Sequence, residues 1–160
     1  MKEHSRQVLF SKKSDEWATP QWLFDELNKE HGFTLDAASS DDNAKCAKHY
    51  TMEEDGLSRC WSGETVFVNP PYSKCFDWVK KAHEEAAKEN TKVVMLIPAR
   101  TDTKWFHTFC LDSCVVSTVC FVKGRLKFGE QTNSAPFPSM IVVFDKSSGA
   151  HINFTARNNK

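Results

Sequence analysis

Four consecutive residues, Asn69-Pro70-Pro71-Tyr72, combine groups that can hold a flat, amine-bearing ring. They follow the apolar run Thr65-Val66-Phe67-Val68, whose β-branched and aromatic side chains favour a buried strand. A residue before proline is pushed toward extended geometry, so Asn69 is expected to carry the strand to its end. Two prolines then stiffen the backbone and remove two amide donors. What remains is a shelf with a side-chain amide, carbonyls with no competing proline N–H, and an aromatic ring. An exocyclic amine could donate to the Asn69 oxygen and the Pro70 carbonyl while its ring stacks on Tyr72. A second set of chemically able residues is Arg125-Leu126-Lys127-Phe128. Alternation puts both cations on one side and both apolar groups on the other, which suits phosphate contact above a packed hairpin or, equally, a solvated basic face.

The elements that must position these groups alternate between strand and helix. Thr19-Pro20 opens a helix, with Thr19 as N-cap and Pro20 in the first helical position. Trp22, Leu23 and Leu27 mark its inner face, and Gly32 stops it. Phe33 to Ala37 reads as a short strand, followed by a polar, broken stretch over 41–63 with one short helix near Ala44 to Lys48. After the shelf, Ser73 can cap a helix from Lys74 to about Asn90, with Phe76, Val79, His83 and Ala86 along one stripe. Lys92 to Ile97 is an apolar strand closed by Pro98. A helix near Asp102 to Cys110 and strands over Cys114 to Val122 and Met140 to Phe144 complete the pattern. The segment 123–129 is a turn or hairpin, and 134–139 is a rigid loop. Continuous apolar strands alternating with helices predict an α/β fold with a sheet covered on both faces. Ligands of such sheets collect at the carboxyl ends of the strands, where Asp36 and Asn69 both fall.

Composition narrows the function classes. The 160-residue chain is 40% hydrophobic, enough for a core in one domain, and carries 21 basic and 21 acidic residues. With no net charge, general attraction to nucleic acid is absent, and any such contact falls to local patches. Six cysteines form no Cys-x-x-Cys pair and no His-x-x-x-His accompanies them, so no structural zinc or other metal is expected. Several sit in apolar runs as small hydrophobes. Without a signal-peptide pattern or a transmembrane run, a reducing cytoplasm is the expected setting, with no membrane partner. Residues 1–14, polar and lysine-rich, read as a flexible N-terminal arm ahead of a single domain over 15–160.

Six segments together carry a resemblance: Glu16-Trp17-Ala18-Thr19-Pro20, Leu35-Asp36-Ala37-Ala38, Asp55-Gly56-Leu57, Asn69-Pro70-Pro71-Tyr72, Pro98-Ala99-Arg100-Thr101 and Gly124-Arg125-Leu126-Lys127-Phe128. The chain resembles the phage-type DNA N-6-adenine methyltransferases from about Asp15 to Phe144. The Asn-Pro-Pro-Tyr string is common to amino-group methyltransferases. The Thr-Pro start and the Gly-Arg-Leu-Lys-Phe segment are more particular to this family. The resemblance implies a small Rossmann-like S-adenosylmethionine-dependent methyltransferase fold with a mixed sheet. It implies methyl transfer to the adenine N6 amine of double-stranded DNA. Asn69, Pro70 and Tyr72 would be catalytic, and the target base would be flipped out of the duplex onto Tyr72.

The resemblance also implies a cofactor side formed by Trp17, Thr19, Pro20, Asp36, Ala37, Ala38, Asp55, Leu57 and Asn69. Asp36 would lie near the methionine end of the cofactor, or else cap the polar segment after it. Asp55 would touch the cofactor's adenine amine with Leu57 against the ring, or else form an Asp-Gly turn. Ala37-Ala38-Ser39 stand where larger methyltransferases carry Gly-x-Gly. Asp41, Asp42, Glu53 and Glu54 compete as the ribose ligand. Arg100, Lys104, Arg125, Lys127 and Ser134 would face DNA. Two further readings share the same residues: an amino-methyltransferase for RNA, cytosine or a protein glutamine, and a DNA-binding remnant without activity.

Overall fold

A computed structural model of the chain describes residues 17–149 and 151–160. The arm expected over 1–14 lies outside the described residues. Six strands form one mixed sheet: β1 Leu35–Asp36, β2 Thr65–Val68, β3 Lys92–Pro98, β4 Val116–Lys123, β5 Ser139–Phe144 and β6 Asn153–Asn158. Their spatial order is β1-β2-β3-β5-β4-β6. β1, β2 and β3 run parallel, β5 runs antiparallel to both β3 and β4, and β6 runs parallel to β4. All strands except β5 therefore end at the same edge of the sheet. Asp36, Asn69, Arg100 and the 124–138 connection all emerge there.

The alternation of side chains along the strands builds two cores. On one face, Val66, Val68, Val93, Met95, Ile97, Met140, Val142 and Phe144 pack beneath α2, Cys75–Ala86. On the other, Phe67, Val94, Leu96, Ile141 and Val143 pack beneath α1, Gln21–His31. A third helical segment, α3 Lys104–Phe106, runs into a π-turn over His107–Leu111 and adds Trp105, Phe106 and Cys110 to the α2 side. The expected α/β class with helices on both faces is the one observed.

Several local expectations shift. Helix α1 starts at Gln21, with Pro20 in the cap position and no side-chain cap. The Pro20 carbonyl accepts from Leu23 and Phe24 at 3.1 and 3.2 Å, while the Thr19 hydroxyl is engaged elsewhere. Gly32 ends α1 in the left-handed region at φ 69°, its amide bonded to the Asn28 carbonyl. Helix α2 begins at Cys75 after a 3₁₀ turn, Tyr72–Lys74, so Ser73 falls inside that turn rather than at the cap, and the helix stops at Ala86. Its buried face is Cys75, Trp78, Val79, Ala82, Glu85 and Ala86, while Phe76 is 42% exposed. The inner stripe is thus set by Trp78 rather than by Phe76.

The expected strand over Phe33 to Ala37 shortens to Leu35–Asp36: the Phe33 amide bonds the Asn28 side chain at 2.8 Å while its ring packs on Phe24 and Phe67. No helix forms over Ala44 to Lys48. That stretch instead runs beside β1, with an isolated bridge between Asp36 and His49. Strand β6 has no counterpart among the sequence-based expectations. Its residues are mostly polar and half-exposed, so they lack the apolar run that marks β2 to β5.

Candidate functional site

Asn69 sits one residue past β2, half-buried, followed by the buried Pro70. Its side-chain nitrogen donates to the Thr19 hydroxyl at 2.9 Å and to the Trp17 carbonyl. Both contacts span about fifty residues and tie the entry to α1 against the shelf. The amide oxygen of Asn69 is closed from solvent and has no hydrogen-bond partner among the described residues. Buried polar atoms are nearly always paired, so an orphaned acceptor at a strand end makes Asn69 a candidate ligand position. The Pro70 carbonyl also receives no backbone amide among the described residues.

Tyr72 begins the 3₁₀ turn that follows. Its ring meets Phe137 edge-on at 5.4 Å and Phe128 edge-on at 6.3 Å. Its hydroxyl reaches the Leu96 carbonyl only at 3.5 Å. Burial, followed by the neighbouring Cys75, holds the phenol well above its ordinary range, so Tyr72 is a neutral ring and not an acid–base group. A cleft of about 370 Å³ opens beside it, lined by Trp17, Tyr72, Pro98, Arg100, Trp105 and Phe137 among others. The cleft is large enough for a nucleobase and mixes aromatic faces with one cation. Asn69 itself is not part of this lining, and its buried oxygen makes the shelf more enclosed than its sequence suggests.

Of the residues expected on the cofactor side, Asp36, Ala37, Ala38 and Asn69 fall at the ends of the adjoining strands β1 and β2, Trp17 to Pro20 precede α1, and Asp55 and Leu57 lie in the loop between the strands. Asp36 is 2% exposed, and its carboxylate accepts the Lys45 amide at 2.9 Å and the Ala38 amide at 3.4 Å. Burial raises its pKa, and those two amides oppose the rise. Asp36 thereby organises the polar segment after β1. The Ala37 amide bonds Phe67 in β2 at 3.1 Å, and Ser39 leaves a second buried, unpartnered hydroxyl nearby.

Asp55 lies at φ 52° in an exposed turn, and Leu57 packs half-buried on the α2-side core. Between them Gly56 rests on the backbone of Ala37. A Cβ there would stand 2.1 Å from the Ala37 carbonyl oxygen. The Asp36–Ala38 and Asp55–Leu57 segments therefore meet, as one site requires. Of the four acids competing for a ribose, Asp41 pairs with His49 at 2.9 Å and Glu54 accepts the Thr51 amide at 2.9 Å.

Sequence reasoning missed what anchors this loop. Trp61 is fully buried, donates from its ring nitrogen to the Gly56 carbonyl at 2.9 Å, and stacks on Trp78. The Trp61 amide bonds the buried carboxylate of Glu85 at 2.9 Å. A lone tryptophan in a polar stretch was the available signal. Trp105, which lines the cleft, also falls outside the expected site, whereas Pro136 and Phe137 come from the 134–139 loop that was expected to flank a base pocket.

The basic residues lie on the same edge. Arg100, Lys104, Arg125 and Lys127 are exposed, and none joins an ion pair among the described residues. Leu126 and Phe128 are buried at 0% and 1%, so the alternation expected of this segment holds although it is not a strand. Ser134 is exposed, and the Ala135 amide after it bonds the Leu126 carbonyl at 2.8 Å, closing the loop.

A second cavity of about 350 Å³ lies at the opposite edge, lined by His31, Lys92, Asp145 and Arg157 among others. Its charges are already spent in pairs: Arg157 with Glu30 at 2.6 Å and Lys92 with Asp145 at 3.3 Å.

Comparison with known proteins identifies the family. The family described as DNA N-6-adenine-methyltransferase (Dam) matches residues 7–160. A DNA N-6-adenine-methyltransferase of Haemophilus phage HP1 is 33% identical over 147 residues, covering 84% of this chain and 82% of that protein. A DNA N-6-adenine-methyltransferase of Escherichia phage T1 is 40% identical over 94 residues, 58% of this chain and 39% of that protein. The family match spans all six strands and the segments at their carboxyl ends, and the chain belongs to the DNA N-6-adenine-methyltransferase family.

Proposed function

We propose that this protein transfers a methyl group from S-adenosylmethionine to the exocyclic N6 amine of adenine in double-stranded DNA. Family membership supports the adenine-specific DNA methyltransferase class. The observation that carries the mechanism is the buried, unpartnered oxygen of Asn69 beside the aromatic cleft. When bound, S-adenosylmethionine supplies an electrophilic methyl group on a sulfonium centre. The residues that would hold it are Trp17, Thr19, Pro20, Asp36, Ala37, Ala38, Asp55 and Leu57. The orphaned Ser39 hydroxyl and the tight Gly56–Ala37 contact fit a polar ligand bridging those strand ends.

The chain's own part is positioning. The adenine amine is a weak nucleophile because its lone pair is delocalised into the ring. Donation of its two hydrogens to the Asn69 oxygen and the Pro70 carbonyl favours a pyramidal nitrogen and directs the lone pair. Correct placement of reacting groups supplies much of such a rate enhancement. The amine of a base inside a duplex is out of reach, so the base must leave the stack, with Tyr72 as its landing surface. Because the Asn69 oxygen is enclosed, the cleft must deepen toward it as the base enters. Arg100, Lys104, Arg125, Lys127 and Ser134 would then hold the flanking DNA backbone.

Purified protein with S-adenosylmethionine and unmethylated genomic DNA should yield N6-methyladenine on nucleoside analysis, in chelator as well as without it. N4-methylcytosine in its place, or methylation of RNA or protein only, would reassign the substrate. Failure to bind S-adenosylmethionine would reject the enzyme reading.

A further inference from the structure

The Asn69 amide carries two hydrogens and one oxygen, and a half-turn about its last bond exchanges them. In this protein both hydrogens are engaged on one side, by the Thr19 hydroxyl oxygen at 2.9 Å and by the Trp17 carbonyl. The Trp17 carbonyl can only accept. A flipped amide would set oxygen against oxygen there and would turn its NH₂ group toward the position that has no partner. The orientation is therefore decided by the partners, and Asn69 has no donor left over. Thr19 is 5% exposed and does not cap α1, so its hydroxyl has no local backbone duty.

We infer that Thr19, together with the Trp17 carbonyl, is a positioning element that holds Asn69 as an acceptor-only group, and so selects an amine-bearing base over one that presents a carbonyl at the same position. This rests on the proposed function above. An amine hydrogen meets the Asn69 oxygen, whereas a base carbonyl meets it lone pair to lone pair. Thr19 does not touch the reacting atoms and acts through Asn69. Its own hydroxyl proton stays available to a neighbouring ligand, so a part in cofactor binding is separable from this one.

Single-turnover methylation of unmethylated genomic DNA at saturating S-adenosylmethionine tests the inference on Thr19→Val, Thr19→Ala and Thr19→Ser. Circular dichroism melting reports folding, and titration reports cofactor affinity. Thr19→Val removes the acceptor and keeps the shape. Its rate at saturating cofactor should fall roughly 3- to 10-fold, the factor carried by about one net hydrogen bond, whatever share of cofactor affinity the lost hydroxyl also carried. Thr19→Ser keeps the oxygen and should restore most of the rate. If the Val variant does not fold, Ala against Ser makes the same comparison. A Val or Ala rate within twofold of wild type overturns the inference, as does a Ser variant as slow as Val. A normal rate with weakened cofactor binding makes Thr19 a cofactor ligand only and overturns it too. Wild-type protein that methylates no DNA overturns the functional reading itself, and this inference with it.

Discussion

At Asn69 the backbone and the side chain have separate determinants. The backbone is set by its neighbours, since a residue before proline is driven to extended geometry at the end of a buried strand. The side chain is set by Trp17 and Thr19, far away in sequence. Removing the amide should therefore leave the strand end in place, release the Trp17 and Thr19 contacts, and strike the reaction. Asn69→Ala is expected to lower the single-turnover rate about 10²-fold or more, as loss of a transition-state hydrogen bond does. Cofactor affinity should stay within several fold, because the contact is made to the base. Rapid-quench methylation under saturating cofactor checks this. A near-normal rate would remove the shelf from the chemistry. Asp36 shows the opposite division of labour. The sequence allows its carboxylate a place near the cofactor or a capping role, and in the structure it bonds the Lys45 and Ala38 amides.

Among the elements, the loop over 37–64 is the part that local pattern describes worst. It is polar and has no helix or extended ladder, yet it is pinned near its end by Trp61 and at its turn by Gly56. Gly56 is required by space. Its Cα faces the Ala37 carbonyl so closely that any side chain collides with backbone, which cannot rotate away as a side chain does. Gly56→Ala should destabilise the protein by about 1–3 kcal/mol, the usual cost of overpacking. That corresponds to a Tm lower by roughly 3–10 °C for a chain of this size. The same change should weaken S-adenosylmethionine binding, because the turn supports Ala37 and Ala38. Calorimetric melting and a cofactor titration of the variant measure both effects. An unchanged Tm with unchanged affinity would show that the two segments are not held together as described.

The molecule as a whole carries no net charge, with 21 basic and 21 acidic residues. Most described ion pairs lie on the helices and at the edge of the sheet away from the shelf, such as Lys81–Glu85 and Lys92–Asp145. The cations at the shelf edge are left unpaired among the described residues. With no general basic field, any attraction to a polyanion would fall to local cations such as these. Arg125→Ala with Lys127→Ala should weaken binding to duplex DNA and flatten its log–log salt dependence by about one unit for each phosphate no longer neutralised. Cofactor affinity should be unaffected. Fluorescence anisotropy of a labelled duplex at several salt concentrations reads the slope. If the slope does not move, the segment is a solvated face, and if sequence preference changes instead, these residues read bases.

What the sequence determined by itself is what nearest neighbours and periodicity control. Proline geometry placed Asn69 at a strand end, Gly32 closed α1, alternation buried Leu126 and Phe128, and the apolar runs marked β2 to β5. Each of these depends on steric limits or side-chain spacing within a few residues. The tertiary structure alone decided the rest. It moved Thr19 from a helix cap to the amide of Asn69, set Trp61 and Gly56 beneath the loop after β1, and paired the polar β6 with β4. It also closed the Asn69 oxygen from solvent. These outcomes depend on which distant surfaces meet when the two cores close over the sheet. A hydroxyl or an indole has the same local propensity wherever it will finally bond, so nothing in its immediate sequence distinguishes one partner from another.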